Sequence, residues 1–218
     1  DYHVIYGDLS TPDPWHALRL YLGQTWTHPL FGDMAPRMTC MDSGGHYTSA
    51  VYKFCRSLPR VAPIKGIPGQ GKPMVGKPSK NNLGGTQVFP LGVDTIKELV
   101  MARLAAGPED AGYCTWPDTY GDDYFKGLTA EELRTTFLKG FKKLVWHKVR
   151  TRNEPFDNRV YATAALEMLS VDLNAQRRAL MREYAKRSVK TTITPKAAPV
   201  PKRPAQKKTD WVSGWKNG

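Results

Sequence analysis

Two aspartates that lie far apart in the sequence have the residue type and local setting for metal-dependent phosphodiester chemistry. Asp42 closes the apolar segment at residues 37–41, and Asp157 falls in the first turn of a predicted helix. Carboxylates bind Mg²⁺ or Mn²⁺, and two such ions about 4 Å apart can activate water and offset phosphate charge. If that helix packs over the sheet, the two carboxylates converge. Asp42 and Asp157 are therefore candidate metal ligands, and Glu154 is a third.

Spacing alone leaves simpler interpretations of these residues open. An aspartate that follows a strand is often a turn residue, and Asp157 in a first helical turn also complements the helix dipole. His46, close to Asp42, is a candidate substrate contact, although a turn histidine more often bonds locally. Lys65 is a candidate for neutralising the phosphate that is cut.

A strand–turn–helix–strand pattern is expected to position this site. Residues 37–41 and 60–65 are predicted strands, and residues 48–54 form a predicted helix between them. About 18 residues separate the strands, which is enough for the helical crossover that parallel strands need. The strand ends should then share one sheet edge, so that Asp42 and Lys65 face the same crevice. Pro63 indicates that the second strand lies near an edge of the sheet.

The rest of the chain alternates helical and extended patterns, which predicts an α/β fold. Predicted strands cover residues 2–6, 88–91 and 142–150, and residues 66–85 are a predicted loop rich in glycine and proline. Predicted helices begin at Pro12 and Pro14, at Asp94 as the N-cap, at a capping box over residues 129–132, and at Asn153.

The net charge of +12 is unevenly distributed. Residues 43–93 contain no acidic side chain and seven basic ones, which suits a polyanionic partner such as DNA, although solubility is a simpler explanation. The predicted DNA contacts are His46 and five basic residues: Lys53, Arg56, Lys72, Lys77 and Lys80. Residues 186–218 carry nine basic and one acidic side chain, so we divide the chain into a domain at 1–185 and a disordered basic tail at 186–218.

Several other classes of protein are excluded by their missing patterns. The three cysteines are odd in number and widely spaced, which fits neither a disulfide framework nor a CxxC zinc site. Residues 66–72 have the spacing of a phosphate-binding P-loop, but Pro73 stands where the magnesium-binding Ser or Thr belongs. No apolar run is long enough to span a bilayer and no signal peptide is visible, so we expect a soluble protein with no membrane partner.

Several blocks together resemble one known family, the nuclease half of lambda-type (GpA-like) terminase large subunits. The blocks are IYGD (5–8), PW (14–15), MDSGGH (41–46), VYKFC (51–55), IKG (64–66), RNEPFD (152–157) and YA (161–162). They follow the family order from residue 1 to about 170. The combination of MDSGGH with VYKFC (41–55) and of RNEPFD with YA (152–162) is specific, whereas neither pair of blocks would suffice alone.

This resemblance implies an RNase H-like mixed sheet flanked by helices and a Mg²⁺- or Mn²⁺-dependent endonuclease, with a two-metal site, that cuts concatemeric double-stranded phage DNA. In such folds the acids lie on the first strand, at the end of the fourth and on a late helix. Asp42 matches the second and Asp157 the third, and Lys65 matches a basic position beside the centre. The first acid is expected on a strand just before Tyr2, and without it the activity of the chain alone is in doubt.

The resemblance also implies partners and a location. They are the small terminase subunit, the portal of the empty capsid and the cytoplasm of the host cell. The portal would be contacted by the C-terminal tail, with Trp211 and Trp215 as aromatic anchors. Two alternatives remain at this stage. One is a non-catalytic DNA-binding or assembly module of the packaging motor, and the other is an unrelated RNase H-like resolvase or transposase.

Overall fold

The computed structural model describes residues 2–80 and 85–191. Its helices are α1 (Asp13–Leu22), α2 (Thr48–Arg56), α3 (Val93–Leu104), α4 (Asp122–Leu128), α5 (Glu154–Leu169) and α6 (Leu173–Thr191). Its strands are β1 (Trp26–His28), β2 (Gly32–Met34), β3 (Thr39–Asp42), β4 (Val61–Ile67), β5 (Ser79–Lys80), β6 (Gln87–Gly92), β7 (Glu131–Leu138) and β8 (Phe141–Lys148). The predicted α/β class is confirmed.

The central sheet is mixed, with the strand order β3-β4-β6-β5. β3, β4 and β6 are parallel, and β5 is antiparallel to β6. Helix α2 forms the predicted crossover between β3 and β4, so both strands end at the same edge of the sheet. Asp42 lies at this edge, opposite Ile64 of β4.

The expectation that Pro63 marks an edge strand is wrong, because β4 lies between β3 and β6. Thr39 and Ser43 donate to the carbonyls of Arg60 and Ile64, so the even-numbered residues of β4 bond to β3. Pro63 therefore turns its nitrogen away from β3, and the pairing with β6 begins only at Ile64. The missing N–H lies just before that ladder starts, where a proline is tolerated.

Helices α3 and α5 pack with the sheet to form the core. The core residues are Ile64, Leu91, Ile96, Val100, Leu128, Phe156, Val160 and Ala164. Each fully buried aliphatic or aromatic side chain contributes about 1.5–3 kcal/mol to stability. Because Phe156 is completely buried, the first turn of α5 is held firmly against the core.

The predicted capping box at residues 129–132 is wrong, because this segment ends α4 and begins a β-hairpin. The hydroxyl of Thr129 donates to the Phe125 carbonyl behind it rather than to a following helix. Glu131 starts β7, which pairs with β8 along its whole length. Lys139 and Gly140 form the turn, both with positive φ, as a type I′ hairpin turn requires.

Three further expectations differ from the structure. Residues 2–6 form no strand. Gly92 rather than Asp94 is the N-cap of α3, and the Asp94 carboxylate instead accepts a hydrogen bond of 2.7 Å from the backbone N–H of Gly69. The predicted loop at 66–85 contains the end of β4 and the short strand β5. The Gly69–Asp94 hydrogen bond and the pairing of β5 with β6 are contacts between distant segments, which local patterns do not reveal.

The last described element, α6, crosses the expected domain boundary between residues 185 and 186. Residues 192–218, with Trp211 and Trp215, lie outside the described residues. Among the described helices, none combines the length and the apolar character that a membrane crossing requires.

Candidate active site

The structure brings Asp42 of β3 and Asp157 of α5 to the same edge of the sheet. Helix α5 packs against β3, and Tyr161, one turn after Asp157 on α5, hydrogen-bonds through its hydroxyl to the Asp42 carboxylate. Burial raises the pKa of Asp157, and the negative charges of Glu131 and Asp42 raise it further. The two aspartates are therefore close enough to interact electrostatically.

The Asp42 carboxylate is oriented by the turn that follows β3. One of its oxygens accepts a hydrogen bond of 2.9 Å from the Gly44 N–H. Ser43 is buried and fixes this turn to β4, because its hydroxyl donates to the Ile64 carbonyl at 2.7 Å. A Cβ at Gly44 would lie 3.3 Å from the same Asp42 oxygen, so a small residue suits this position. Asp42 itself is exposed, which leaves it free to bind a ligand.

Asn153 links Asp157 to the hairpin. Its amide nitrogen donates to Asp157 at 2.9 Å and to Glu131 at 2.7 Å. Its amide oxygen accepts a hydrogen bond of 2.7 Å from the Lys148 ammonium. Glu131 and Lys148 are opposite each other at the base of the β7–β8 hairpin. The side chain just before α5 thus holds the Asp157 carboxylate in a fixed relation to the hairpin.

A buried ion pair lies behind this network. The Lys97 ammonium of α3 is 2.5 Å from the Glu131 carboxylate, and the two side chains are only 13% and 7% exposed. Lys97 also lies over the rings of Trp146 and Phe156, at 5.8 and 5.6 Å. Its charge lowers the pKa of Asp157 and partly offsets the effect of burial. Lys148 acts in the same direction, so two lysines face the acidic cluster.

The phenol of Tyr161 stays protonated. Burial raises its pKa well above the ordinary value of 10.0, and the negative charges of Asp42 and Asp157 raise it further. A neutral phenol is a hydrogen-bond donor, so Tyr161 can hold the Asp42 carboxylate in one orientation without competing for a metal ion.

Neither Lys65 nor Glu154 is among the groups whose charge acts on Asp157. Asp42 is opposite Ile64, and because side chains alternate along a strand, Lys65 projects from the other face of the sheet. The exposed Glu154 carboxylate lies 3.8 Å from Arg152. Lys97 and Lys148, rather than Lys65, are the lysines whose charge acts on Asp157.

The predicted DNA contacts lie on several elements. Lys53 and Arg56 belong to α2, and the Arg56 guanidinium donates to the Thr86 hydroxyl at 2.6 Å. His46 is exposed in the turn after Asp42. Lys72, Lys77 and Lys80 are exposed along the segment that leads into β5.

Five residues of the site were missed from the sequence: Lys97, Glu131, Lys148, Asn153 and Tyr161. A signal for two parts of this set exists. Lys139-Gly140 between β-prone segments indicates a two-residue hairpin, and that register places Glu131 opposite Lys148. Tyr161 follows Asp157 by four residues, the spacing of neighbours on one helix face.

Comparison with known proteins gives a consistent assignment. The family model for the endonuclease domain of the terminase large subunit gpA matches residues 1–179. The terminase large subunit of Escherichia phage lambda is 32% identical over 185 residues, covering 79% of this chain and 29% of that protein. The corresponding subunit of Enterobacteria phage P21 is 31% identical over 157 residues, covering 67% of this chain and 24% of that protein.

No solved structure matches the chain. The chain spans less than a third of the length of these two relatives. The family match covers the β3 turn, the hairpin and α5, which together bring Asp42, Glu131 and Asp157 to one edge of the sheet. This chain therefore belongs to the family of terminase large subunit gpA endonuclease domains.

Proposed function

We propose that this domain is a divalent-metal-dependent endonuclease that cuts concatemeric double-stranded phage DNA during genome packaging, with Asp42 and Asp157 as metal ligands. The observation that carries the proposal is the convergence of these two carboxylates, from β3 and α5, at one sheet edge. The charge of Asp42 contributes to the raised pKa of Asp157, and a bound cation would relieve this repulsion between the two carboxylates. Family membership supplies the reaction class.

The donor set fits a hard divalent cation in part. The described residues contain no cluster of three or more His, Cys, Asp or Glu side chains suited to enclosing a metal ion. Mg²⁺, however, usually binds through one or two carboxylates and completes its shell with water and phosphate oxygens. Asp42 and Asp157 match that mode. Bound there, Mg²⁺ or Mn²⁺ would supply a nucleophilic water at neutral pH and offset charge on the phosphate.

The residues of the chain then have distinct roles. Tyr161 and Gly44 orient Asp42, and Asn153 orients Asp157. Lys148 is exposed beside the carboxylates and is suited to attract the DNA phosphate. Lys65 and Glu154 stay predictions as phosphate and metal contacts, as do the second metal ion and the first acid expected upstream of Tyr2.

The wider setting is part of the same proposal. We infer an RNase H-like arrangement, because one acid ends a strand of a mixed sheet and another lies on a late helix. The proposed division remains 1–185 and 186–218, with α6 leading into the basic tail. The tail would contact the portal through Trp211 and Trp215, and the small terminase subunit and the host cytoplasm complete the setting.

Nicking of supercoiled plasmid in Mn²⁺ tests the reaction, with Mn²⁺ binding measured in parallel by electron paramagnetic resonance. Asp42→Asn and Asp157→Asn should each abolish nicking and weaken Mn²⁺ binding. Glu167→Gln, an exposed acid later on the same helix, is the matched control and should change neither. Unchanged Mn²⁺ binding in both aspartate variants would remove these residues from the proposed centre.

A second candidate is a non-catalytic DNA-binding module of the motor. It is favoured by one observation. Glu131, the third acid of the cluster, is already paired with Lys97, so its charge is neutralised without a metal ion. This alternative predicts salt-sensitive DNA binding with neither nicking nor specific Mn²⁺ binding. The two measurements above separate the candidates.

A further inference from the structure

We infer that the β7–β8 hairpin is a DNA-contacting arm whose tip phenylalanines, Phe137 and Phe141, stack on DNA bases at a distance from the cutting site. This inference rests on the proposed action on DNA and adds a second contact region to it. The hairpin comprises residues 131–148, with Lys139 and Gly140 as its turn.

The tip of the hairpin carries two phenylalanine side chains that are largely exposed to solvent. Phe137 is 74% exposed and Phe141 is 79% exposed. Among the large hydrophobic side chains of the described residues, only Tyr6 is more exposed than these two. Phe137 pairs with Lys142, so alternation puts Phe141 on the opposite face of the ribbon. The tip therefore presents one exposed aromatic ring on each face of the ribbon. Neither ring is part of the hydrophobic core.

The charge around these rings selects the partner. Residues 133–153 contain no acidic side chain and seven basic ones: Arg134, Lys139, Lys142, Lys143, Lys148, Arg150 and Arg152. Lys139, Lys142 and Lys143 flank the two rings and are exposed. Aromatic rings within a cluster of exposed cations match nucleic acid, because bases offer flat π-faces and phosphates offer the negative charge. A purely apolar protein partner would leave these lysines without a partner charge.

The base of the same hairpin belongs to the site. Glu131 and Lys148, which are opposite each other, both bond to Asn153 beside Asp157. The strand from Glu131 to Leu138 has eight residues and extends about 24 Å from base to tip. DNA rises about 3.4 Å per base pair, so an arm lying along the duplex axis would reach bases about seven pairs from the phosphate at the carboxylates. The arm would thus set the register of the DNA relative to the cut.

The test measures DNA binding in EDTA, so that it does not depend on cutting. Fluorescence anisotropy on a labelled duplex gives Kd over a series of salt concentrations, and 2-aminopurine placed along the duplex reports stacking. The double variant Phe137→Ala/Phe141→Ala should weaken binding about fivefold or more, since stacking on an aromatic ring is worth about 1–3 kcal/mol per base and the cost of opening a base step in the duplex offsets part of this gain for the two rings. The slope of log Kd against log salt should not change, because no charge is removed.

Three variants complete the design. Phe137→Trp/Phe141→Trp should restore both affinity and the 2-aminopurine signal. Tyr6→Ala, an exposed aromatic residue outside the hairpin, should bind as the parent does. Lys142→Ala/Lys143→Ala should lower the salt slope by about 0.9 for each phosphate that the variant no longer neutralises. All variants should melt near the parent temperature, because the altered side chains are exposed.

Two results would overturn the inference. One is parental affinity and an unchanged 2-aminopurine signal in the double alanine variant. The other is a parent that sediments as a dimer and a double alanine variant that sediments as a monomer with unchanged DNA affinity, which would assign the tip to a second copy of the chain. Failure of the nuclease proposal would be seen separately. The parent would then neither nick plasmid nor bind Mn²⁺, and its DNA binding in EDTA would be unaffected.

Discussion

Lys97 and Glu131 form a buried ion pair, 2.5 Å apart, between helix α3 and the first residue of β7. Neither residue was expected at the site from the sequence. The pair joins the core helix to the hairpin that holds Asn153, and through Asn153 it reaches Asp157. Its burial makes it a sensitive point for both stability and site geometry.

Removing either partner of this pair should be strongly destabilising. Lys97→Met leaves the Glu131 carboxylate buried and unpaired, which costs about 3–5 kcal/mol. The double variant Lys97→Met/Glu131→Gln should recover most of that loss, because no uncompensated charge remains. Urea unfolding of Lys97→Met, Glu131→Gln and the double variant measures the coupling between the two side chains. Additive losses would show that the two side chains do not interact.

Asp157 should make stability pH-dependent in the absence of metal. Burial raises its pKa above the ordinary 3.8, so the folded chain holds this proton more tightly than the unfolded chain. The unfolding free energy should therefore fall as pH rises from about 3.8 through the folded-state pKa. Asp157→Asn should remove that fall and gain up to about 1 kcal/mol at pH 7, since solvent screens a half-buried group. Chemical unfolding in EDTA from about pH 4 to 8 measures both, and a parallel pH profile in the variant would contradict the expectation.

Divalent metal should stabilise the folded chain through the same two aspartates. A cation offsets the repulsion between Asp42 and Asp157, and at a free concentration about 100 times Kd it adds about 2.7 kcal/mol. Thermal melts in Mn²⁺ should show a rise in Tm for the parent and for Glu167→Gln. Asp42→Asn should show little rise. An equal rise in all three would place the bound metal elsewhere.

Tyr161→Phe should weaken metal binding while keeping the fold. The substitution removes the hydroxyl that bonds to Asp42 and leaves the ring in place. Loss of a hydrogen-bond partner of a metal ligand typically costs about 10- to 100-fold in metal affinity. Titration calorimetry with Mn²⁺ compares the variant with the parent. Tyr120→Phe, which alters a tyrosine outside the acidic cluster, is the control and should keep the parental affinity.

Gly127→Ala should disturb the start of α5. A Cβ at Gly127 would lie 2.7 Å from two ring carbons of Pro155. Pro155 lies in the first turn of α5, the helix that bears Asp157. Overpacking of this kind costs about 1–3 kcal/mol. Gly45→Ala is the control, since a Cβ there meets nothing within 4 Å. Equal urea midpoints for the two variants would show that α5 adjusts freely.

The sequence predicted much of the frame that surrounds the site. The β3–α2–β4 crossover and the long helix from residue 154 follow from hydrophobic spacing, a sharp turn and a proline in the first helical turn. Such signals are local, because they depend on the conformations open to a few consecutive residues. They put Asp42 at the end of a strand and Asp157 in a first helical turn, and the resemblance to the terminase family made these two acids the candidate metal ligands.

Other elements were misjudged because non-local contacts override local preference. Thr129-Ala130-Glu131-Glu132 has the pattern of a capping box, but Glu131 is drawn into β7 by pairing with β8 and by the ion pair with Lys97. Asp94 has the residue type of an N-cap, yet it lies inside the first turn of α3 and its carboxylate accepts a hydrogen bond from the Gly69 N–H. Pro63 is tolerated in an interior strand because of the register of its neighbours.

The sequence by itself determined the chain's charge pattern, the β–α–β unit, and the positions of Asp42 at a strand end and Asp157 in a first helical turn, since these depend on residue type and short-range spacing. Only the tertiary structure decided which other groups face those acids. Lys97, Glu131, Lys148 and Asn153 come from α3, from the hairpin and from the turn before α5. Their meeting depends on how α3 and α5 pack on the sheet, and packing between distant elements follows from the burial of the shared core rather than from local sequence.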